Sequence, residues 1–242
     1  MNFYLVVEGE QTEKAIYTAW ISYVFSTMTQ AERIEDLQGN HFIIFAYKGN
    51  PPTRTKLQTH VENVVTHSNI IDHFFIIADA EEESVTCRKQ NIEQIVQSIL
   101  GKRRIHYSII VQNRCIETWL LGNRRIVKRN PQNELLRTYL TDYPVHLQDP
   151  ETLPIPQEFI NSPAAWHMIY LLAIFRENNM RYSKTNPRDA LPKSYFNQLC
   201  DRVATTPHLP SLKRLLDQWH DLGGTLPGYP ALPEPNLTAP PS

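Results

Sequence analysis

Cysteine is scarce in this chain, which has three in 242 residues. The three lie far apart, and no two are separated by the two residues that a zinc clip or a redox dithiol requires. Widely spaced cysteines in an odd number are typical of reduced thiols in a cytosolic protein. The sequence therefore predicts no disulfide framework and no cysteine-bound zinc. The cysteines are Cys87, Cys115 and Cys200.

An excess of charge of one sign is also lacking, because the formal net charge is -1 and the pI is about 6.8. No global positive field draws such a chain to nucleic acid, so any contact with nucleic acid must be local. Three basic clusters lie at residues 102–104, 124–129 and 181–188. Each cluster is as consistent with a solvated surface as with a phosphate contact.

Several catalytic and nucleotide-binding motifs are missing from the sequence. There is no G-x-x-x-x-G-K-[ST] loop and no G-x-G-x-x-G after a strand, which excludes ATP binding in the P-loop manner and a dinucleotide fingerprint. There is also no H-E-x-x-H and no G-x-S-x-G, the signatures of zinc proteases and serine hydrolases. Any step driven by ATP would therefore need another protein.

Long apolar runs of membrane-spanning length are absent as well. The most apolar segment, residues 164–178, is 15 residues long, whereas a helix needs about 20 apolar residues to span a bilayer. We expect a buried helix with Trp166, Ile169, Tyr170 and Ala173 inside. The chain opens on a strand-like run without an export signal, so we expect a cytoplasmic protein without membrane contact.

The first half of the chain alternates short β-rich runs with stretches of helical periodicity, the pattern of a parallel sheet with crossover helices. The apolar runs are nearly continuous, as expected where helices cover both faces of a sheet. We therefore predict an α/β domain over residues 1–122 with a parallel four-stranded sheet flanked by helices. The predicted strands are residues 3–7, 41–47, 73–78 and 105–111.

The second half is predicted to be helical. Residues 123–160 are punctuated by proline and read as a connector, and residues 161–222 have the periodicity of a C-terminal helical unit. Six prolines follow among residues 223–242, a composition that does not support packed secondary structure. We expect this Pro-rich tail to be disordered.

Three acidic residues follow two of the predicted strands. Glu8 stands at the carboxyl end of the first strand, and Asp79 and Glu81 stand at the end of the third. Ligands of open α/β sheets bind at that edge. Asp79 and Glu81 are two residues apart, so both point the same way if the backbone stays extended. Neighbouring carboxylates repel unless a cation lies between them, and these oxygen ligands suit Mg²⁺ or Mn²⁺.

Other charged residues near these strands admit two interpretations each. Glu13 and Glu117 lie in the first turns of predicted helices, where a carboxylate stabilises the helix dipole, and Glu117 is equally a candidate metal ligand. A cation that supports the site has three candidate sources, Lys184, Arg188 and Arg114, each of which also fits a surface charge.

The segments VVEGEQTEKAIY, IIADAEE and CIETWLLG together resemble the Toprim fold of topoisomerases, primases and OLD-type nucleases. The first and last are similar to RloB-like Toprim proteins of bacterial defence islands. The resemblance covers about residues 3–122. It implies that Glu8 is a general acid/base or metal ligand and that Asp79 begins a metal-binding D-x-D pair. Glu81 departs from that pattern, because aspartate is usual there.

The resemblance also implies a function. It predicts Mg²⁺-dependent hydrolysis of phosphodiesters in DNA or RNA, including tRNA, as the effector of an antiphage or toxin-like system with a separately encoded ATPase. OLD-type nucleases take a lysine from beyond the acidic strands, which favours Lys184 as the supporting cation. The alternative is a catalytically degenerate Toprim module that binds nucleic acid or a sensor protein. The sequence leaves the oligomeric state open.

Overall fold

The computed structural model describes residues 1–47 and 54–231, with the side chain of Arg54 excepted. In this part of the chain, five parallel strands form one sheet in the order β2-β3-β1-β4-β5. The parallel α/β sheet is thereby confirmed. The strands are β1 (Asn2–Val7), β2 (Thr29–Gln30), β3 (His41–Ala46), β4 (His73–Asp79) and β5 (Tyr107–Gln112).

The predicted count of four strands is wrong, because β2 adds a fifth at the edge of the sheet. It has only two residues, and both are exposed. They pair with His41 and Phe42 of β3. A two-residue strand with exposed polar side chains has no apolar run, which is why the sequence pattern missed it.

Helices cover both faces of this sheet. Successive strand residues point to opposite faces, so Phe3 and Leu5 enter one hydrophobic core while Tyr4 and Val6 enter the other. The Tyr4 face packs against α2 and α3, and the Phe3 face packs against α1, α4 and the C-terminal helices. The helices are α1 (Thr12–Val24), α2 (Arg54–Thr66), α3 (Val85–Leu100), α4 (Ile116–Leu120), α5 (Glu134–Asp142), α6 (Pro163–Glu177), α7 (Lys193–Thr205) and α8 (Pro210–Asp221).

The C-terminal helices share one core with the Phe3 face of the sheet. In α6, Trp166, Tyr170 and Ala173 are buried as expected, but Ile169 is 37% exposed, so that expectation was wrong. Ile169 lies at the margin of the stripe that the other three form on a helix of 3.6 residues per turn. Within the described ranges, no helix is long and apolar enough to cross a membrane.

The first residues of the expected Pro-rich tail are packed rather than free. The backbone N–H of Thr225 donates to the carbonyl oxygen of Val24 at 3.0 Å, and Leu226 is buried. The hydroxyl of Tyr229 donates to Asp217 in α8 at 2.8 Å. Our expectation of disorder is therefore corrected for residues 223–229, while its part at residues 232–242 lies outside the described residues.

Candidate active site

Glu8 and Asp79 lie at the same edge of the sheet. Glu8 directly follows β1, and Asp79 is the last residue of β4, which pairs with β1 in parallel. Oε2 of Glu8 accepts a hydrogen bond from the backbone N–H of Asp79 at 3.0 Å. The Glu8 carboxyl thus reaches over the end of the neighbouring strand.

The Asp79 carboxyl is buried without full compensation. Its residue is 4% exposed, and its Oδ1 has no hydrogen-bond partner among the described residues. Burial raises the pKa of Asp79 well above its ordinary value, and the carboxylates of Glu13 and Glu8 raise it further. A buried acceptor that lacks a donor is costly, so this oxygen is suited to a cation or a ligand donor.

Glu13 also lies near Glu8 and Asp79. From the sequence, it could not be distinguished from an ordinary acid that stabilises a helix start. It lies in the first turn of α1 and is only 5% exposed. Burial raises the pKa of Glu13, and Lys184 opposes that effect. A Cβ on Gly9 would lie 1.6 Å from Oε2 of Glu13, so glycine leaves the space that the carboxyl occupies. The E-G-x-x-T-E spacing was the only signal in the sequence.

Lys184 is brought to the acidic edge from the C-terminal half. Its Nζ lies 2.8 Å from Oε1 and 3.0 Å from Oε2 of Glu117, whose side chain is fully buried in α4. The hydroxyl of Tyr182 also donates to Glu117, at 2.7 Å. The backbone at Lys184 is held by Thr12 at the start of α1, whose hydroxyl donates to the Lys184 carbonyl at 2.5 Å.

The other two candidate cations have different surroundings. Nη1 of Arg114 donates to the backbone carbonyl of Glu81 at 2.9 Å, so it supports the loop rather than a carboxylate. Arg188 is exposed in a short 3-10 turn. Lys184 is the one of the three for which the structure shows an ion pair with a carboxylate of this edge.

Glu81 is not placed by an extended backbone, contrary to our expectation. The strand ends at Asp79, and Glu81 has a φ of 52°, in the left-handed region. Its backbone N–H donates to the carbonyl of Arg114 at 3.0 Å, which holds this turn against the loop after β5. Burial raises the pKa of Glu81, Lys184 lowers it, and Glu117 raises it further. The Glu81 carboxyl therefore interacts electrostatically with the other charged groups of this edge.

Arg88 is a second cation at this edge, and sequence reasoning missed it. It lies in α3, is buried, and places Nη2 3.7 Å from Oε2 of Glu8. Its Nη1 lies 3.9 Å from Oε1 of Glu83. The helical pattern of α3 concealed Arg88, since a charged residue between apolar positions is normally solvated.

The five carboxyls of Glu8, Glu13, Asp79, Glu81 and Glu117, which we call the acidic cluster, were compared with the needs of a divalent cation. Among residues 1–47 and 54–231, no three acidic, histidine or cysteine side chains already stand in a metal-ligating arrangement. The donor set is nevertheless all oxygen, as Mg²⁺ and Mn²⁺ prefer. Because the cluster also includes the orphaned Oδ1 of Asp79, it fits such an ion chemically.

Comparisons with other proteins identify no relative: no family model, no curated protein and no solved structure matches this chain.

Proposed function

We propose that this chain is a Mg²⁺- or Mn²⁺-dependent nuclease with a Toprim-type site, and that it hydrolyses phosphodiesters of DNA or RNA. The observation that carries the proposal is the buried Asp79 carboxyl, with an unpartnered oxygen, at a sheet edge that also holds Glu8, Glu13 and Glu81. A fold that only needed stability would not gain from so many carboxylates in one buried place, because they repel one another.

In this proposal Asp79, Glu8, Glu81 and Glu117 would hold the cation, and Glu13 would add negative charge beside them. The chemistry that Mg²⁺ supplies when bound is activation of water and neutralisation of phosphate charge. The residues of the chain have separate tasks. Lys184 brings a positive charge to the edge, where it supports negative charge on a phosphate, and Arg88 holds the Glu8 carboxyl in place.

The partners in this proposal follow from the chemistry and from what the chain lacks. The substrate is a nucleic acid, and the basic clusters at residues 124–129 and 181–188 offer local phosphate contacts. Because the chain has no P-loop, gating by ATP requires a separate ATPase. The proposed setting is a defence or toxin-like system in the cytoplasm.

The second candidate is a degenerate Toprim module that binds nucleic acid or a sensor protein without catalysis. Three observations favour it. Lys184 and Arg88 already pair with Glu117 and Glu8. The described residues also contain no formed three-ligand arrangement, and Glu81 stands where aspartate is usual.

The decisive experiment compares cleavage of plasmid, single-stranded DNA and tRNA with Mg²⁺ or Mn²⁺, in the presence of the natural partner. We expect Asp79→Ala to reduce cleavage by roughly 100-fold or more, the scale of losing an electrostatic contact to the transition state. Glu8→Ala should behave alike. Glu81→Asp should keep or raise activity. Glu82→Ala is the matched control, because Glu82 is an exposed acid on the same loop.

A second readout does not depend on turnover. If Asp79 holds the cation, Mg²⁺ should raise the Tm of the wild type by mass action and should not raise that of Asp79→Ala. Equal cleavage by the wild type, Asp79→Ala and Glu81→Asp would show that the nuclease assignment is wrong. Tighter nucleic-acid binding by Asp79→Ala without loss of catalysis would support the binding module instead.

A further inference from the structure

Exposed apolar side chains are concentrated in one part of the described chain. Of the six large hydrophobic residues that are exposed there, five lie between positions 135 and 169. Singly exposed hydrophobics are ordinary, so the exposure of these five matters only where one of them lines an apolar groove. The five are Leu135, Leu147, Ile155, Ile160 and Ile169.

A groove lies within this region, between α5, the segment 153–156 and α6. Its volume is about 300 Å³. Aromatic rings build its walls, with ring centroids of Tyr139 and Trp166 4.7 Å apart and those of Tyr139 and Tyr170 5.3 Å apart. Leu153 and Ile155 complete the lining with apolar surface. Ile155 is both a lining residue and one of the exposed group.

Trp166, which lines this groove, also carries an unmet hydrogen-bond donor. The residue is only 7% exposed, and its indole Nε1 has no acceptor among the described residues. Flat aromatic walls with an indole donor are the surface that receives proline-rich segments in the polyproline II conformation. Such segments are already extended in solution, so binding orders them at low entropic cost.

We propose that this aromatic groove binds the proline-rich end of the same chain, residues 232–242. The segment reads LPEPNLTAPPS, with four prolines and two leucines among eleven residues. Polyproline II has no internal hydrogen bonds, so it suits a composition that supports neither helix nor strand. The inference is independent of the proposed nuclease function, because it uses none of the acidic cluster.

The place where the described chain ends makes this contact reachable. A Cβ on Gly228 would lie 2.9 Å from Cβ of Ala204, near the end of α7. From that end of α7, Nη2 of Arg202 donates to the carbonyl of Gln148 at 2.6 Å. The hydroxyl of Tyr143, which lines the groove, donates to the next carbonyl, that of Asp149, at 2.7 Å.

These contacts link the surroundings of Gly228 to Tyr143 at the groove. Eleven residues in polyproline II span about 34 Å at about 3.1 Å per residue. That length exceeds the few side-chain lengths that these contacts span, so the segment can reach the groove within one molecule and no second copy is needed.

The test measures amide hydrogen exchange of residues 138–143 and of Leu153 and Ile155 in the full-length chain. In a variant with Pro233, Pro235, Pro240 and Pro241 replaced by alanine, we expect these amides to exchange at least threefold faster than in the wild type. Ile155→Lys, at a partly exposed lining position, should give the same increase. Leu147→Lys is the matched control, because Leu147 is exposed but does not line the groove.

Addition of a synthetic peptide of residues 232–242 to the alanine variant should restore the slow exchange. Equal exchange in the wild type and the alanine variant would overturn the proposal and leave the groove to another partner. Protection that rises with protein concentration, together with a dimer mass in light scattering, would show that the segment comes from a second copy and would overturn the intramolecular contact.

Discussion

The Nζ atom of Lys184 lies 2.8 Å from the Glu117 carboxyl, although 67 residues separate the two in sequence. Glu117 is fully buried, whereas the Lys184 side chain is 51% exposed. The pair therefore links the loop after α6 to a carboxylate beneath the acidic edge. Through it, the C-terminal half of the chain supplies a positive charge next to the carboxylates at the end of the sheet.

Removing the lysine charge should expose the cost of burying Glu117. We expect Lys184→Met to lower the free energy of unfolding by about 1–3 kcal/mol, because a buried charged acceptor loses a donor. Lys184→Arg keeps the charge and should lose less. Urea unfolding at pH 7 measures both variants.

The double variant Lys184→Met with Glu117→Gln supplies the control for this prediction. Neutralising Glu117 removes the uncompensated charge, so the double variant should recover most of the lost stability. If the stability loss of the double variant equals the sum of the losses in the two single variants, Lys184 and Glu117 do not interact, contrary to the geometry.

Gly9→Ala should disturb the acidic cluster while sparing the fold. The new methyl group would occupy the place of the Glu13 carboxyl, which is the flexible end of a side chain and turns away. We expect the free energy of unfolding to fall by no more than about 1–3 kcal/mol, the usual cost of an extra carbon in a packed place. The Mg²⁺-induced rise in Tm and the metal-dependent cleavage should both fall.

Glu13→Gln is the matched comparison, since it keeps the side chain in place and removes only its charge. If Gly9→Ala leaves both the Tm shift and the cleavage at wild-type values, the position of Glu13 has no role in the site. A crystal structure of the variant would show the displaced carboxyl directly.

Glu151, which lies outside the acidic cluster, should make the stability of the fold depend on pH. Burial raises its pKa from the ordinary 4.5 to about 7, although Ser211 donates to Oε1 from both its backbone N–H and its hydroxyl. The folded chain therefore binds this proton more tightly than the unfolded chain. The resulting stability is fully present below about pH 4.5 and is lost as the pH rises through about 7.

Glu151→Gln should remove this loss, because the amide oxygen still accepts from Ser211 and carries no charge. Relative to the wild type, the variant should gain up to about 3 kcal/mol between pH 4.5 and pH 7, at 1.36 kcal/mol per pKa unit. Urea unfolding at several pH values measures the difference. Glu158→Gln, at an exposed acid, is the control. A constant difference between Glu151→Gln and the wild type across this range would contradict the prediction.

Local pattern alone predicted most of the sheet and two residues of its edge. The runs at residues 3–7 and 73–78 are long enough and apolar enough to be recognised as buried strands. Crossover helices force such strands to run parallel, so their carboxyl ends meet at one edge. Glu8 and Asp79 could therefore be assigned to that edge before any coordinates were known.

Tertiary structure alone decided which other charges join them. Glu13 would look the same in sequence whether its helix start faced water or lay beneath another segment. Glu13 is buried at the start of its helix, and the segment with Lys184 packs on that helix start. The hydroxyl of Thr12 donates to the Lys184 carbonyl and holds the segment there. Glu81 likewise follows a left-handed turn that periodicity does not encode. Burial and ion pairing depend on long-range packing, and short-range sequence patterns do not record it.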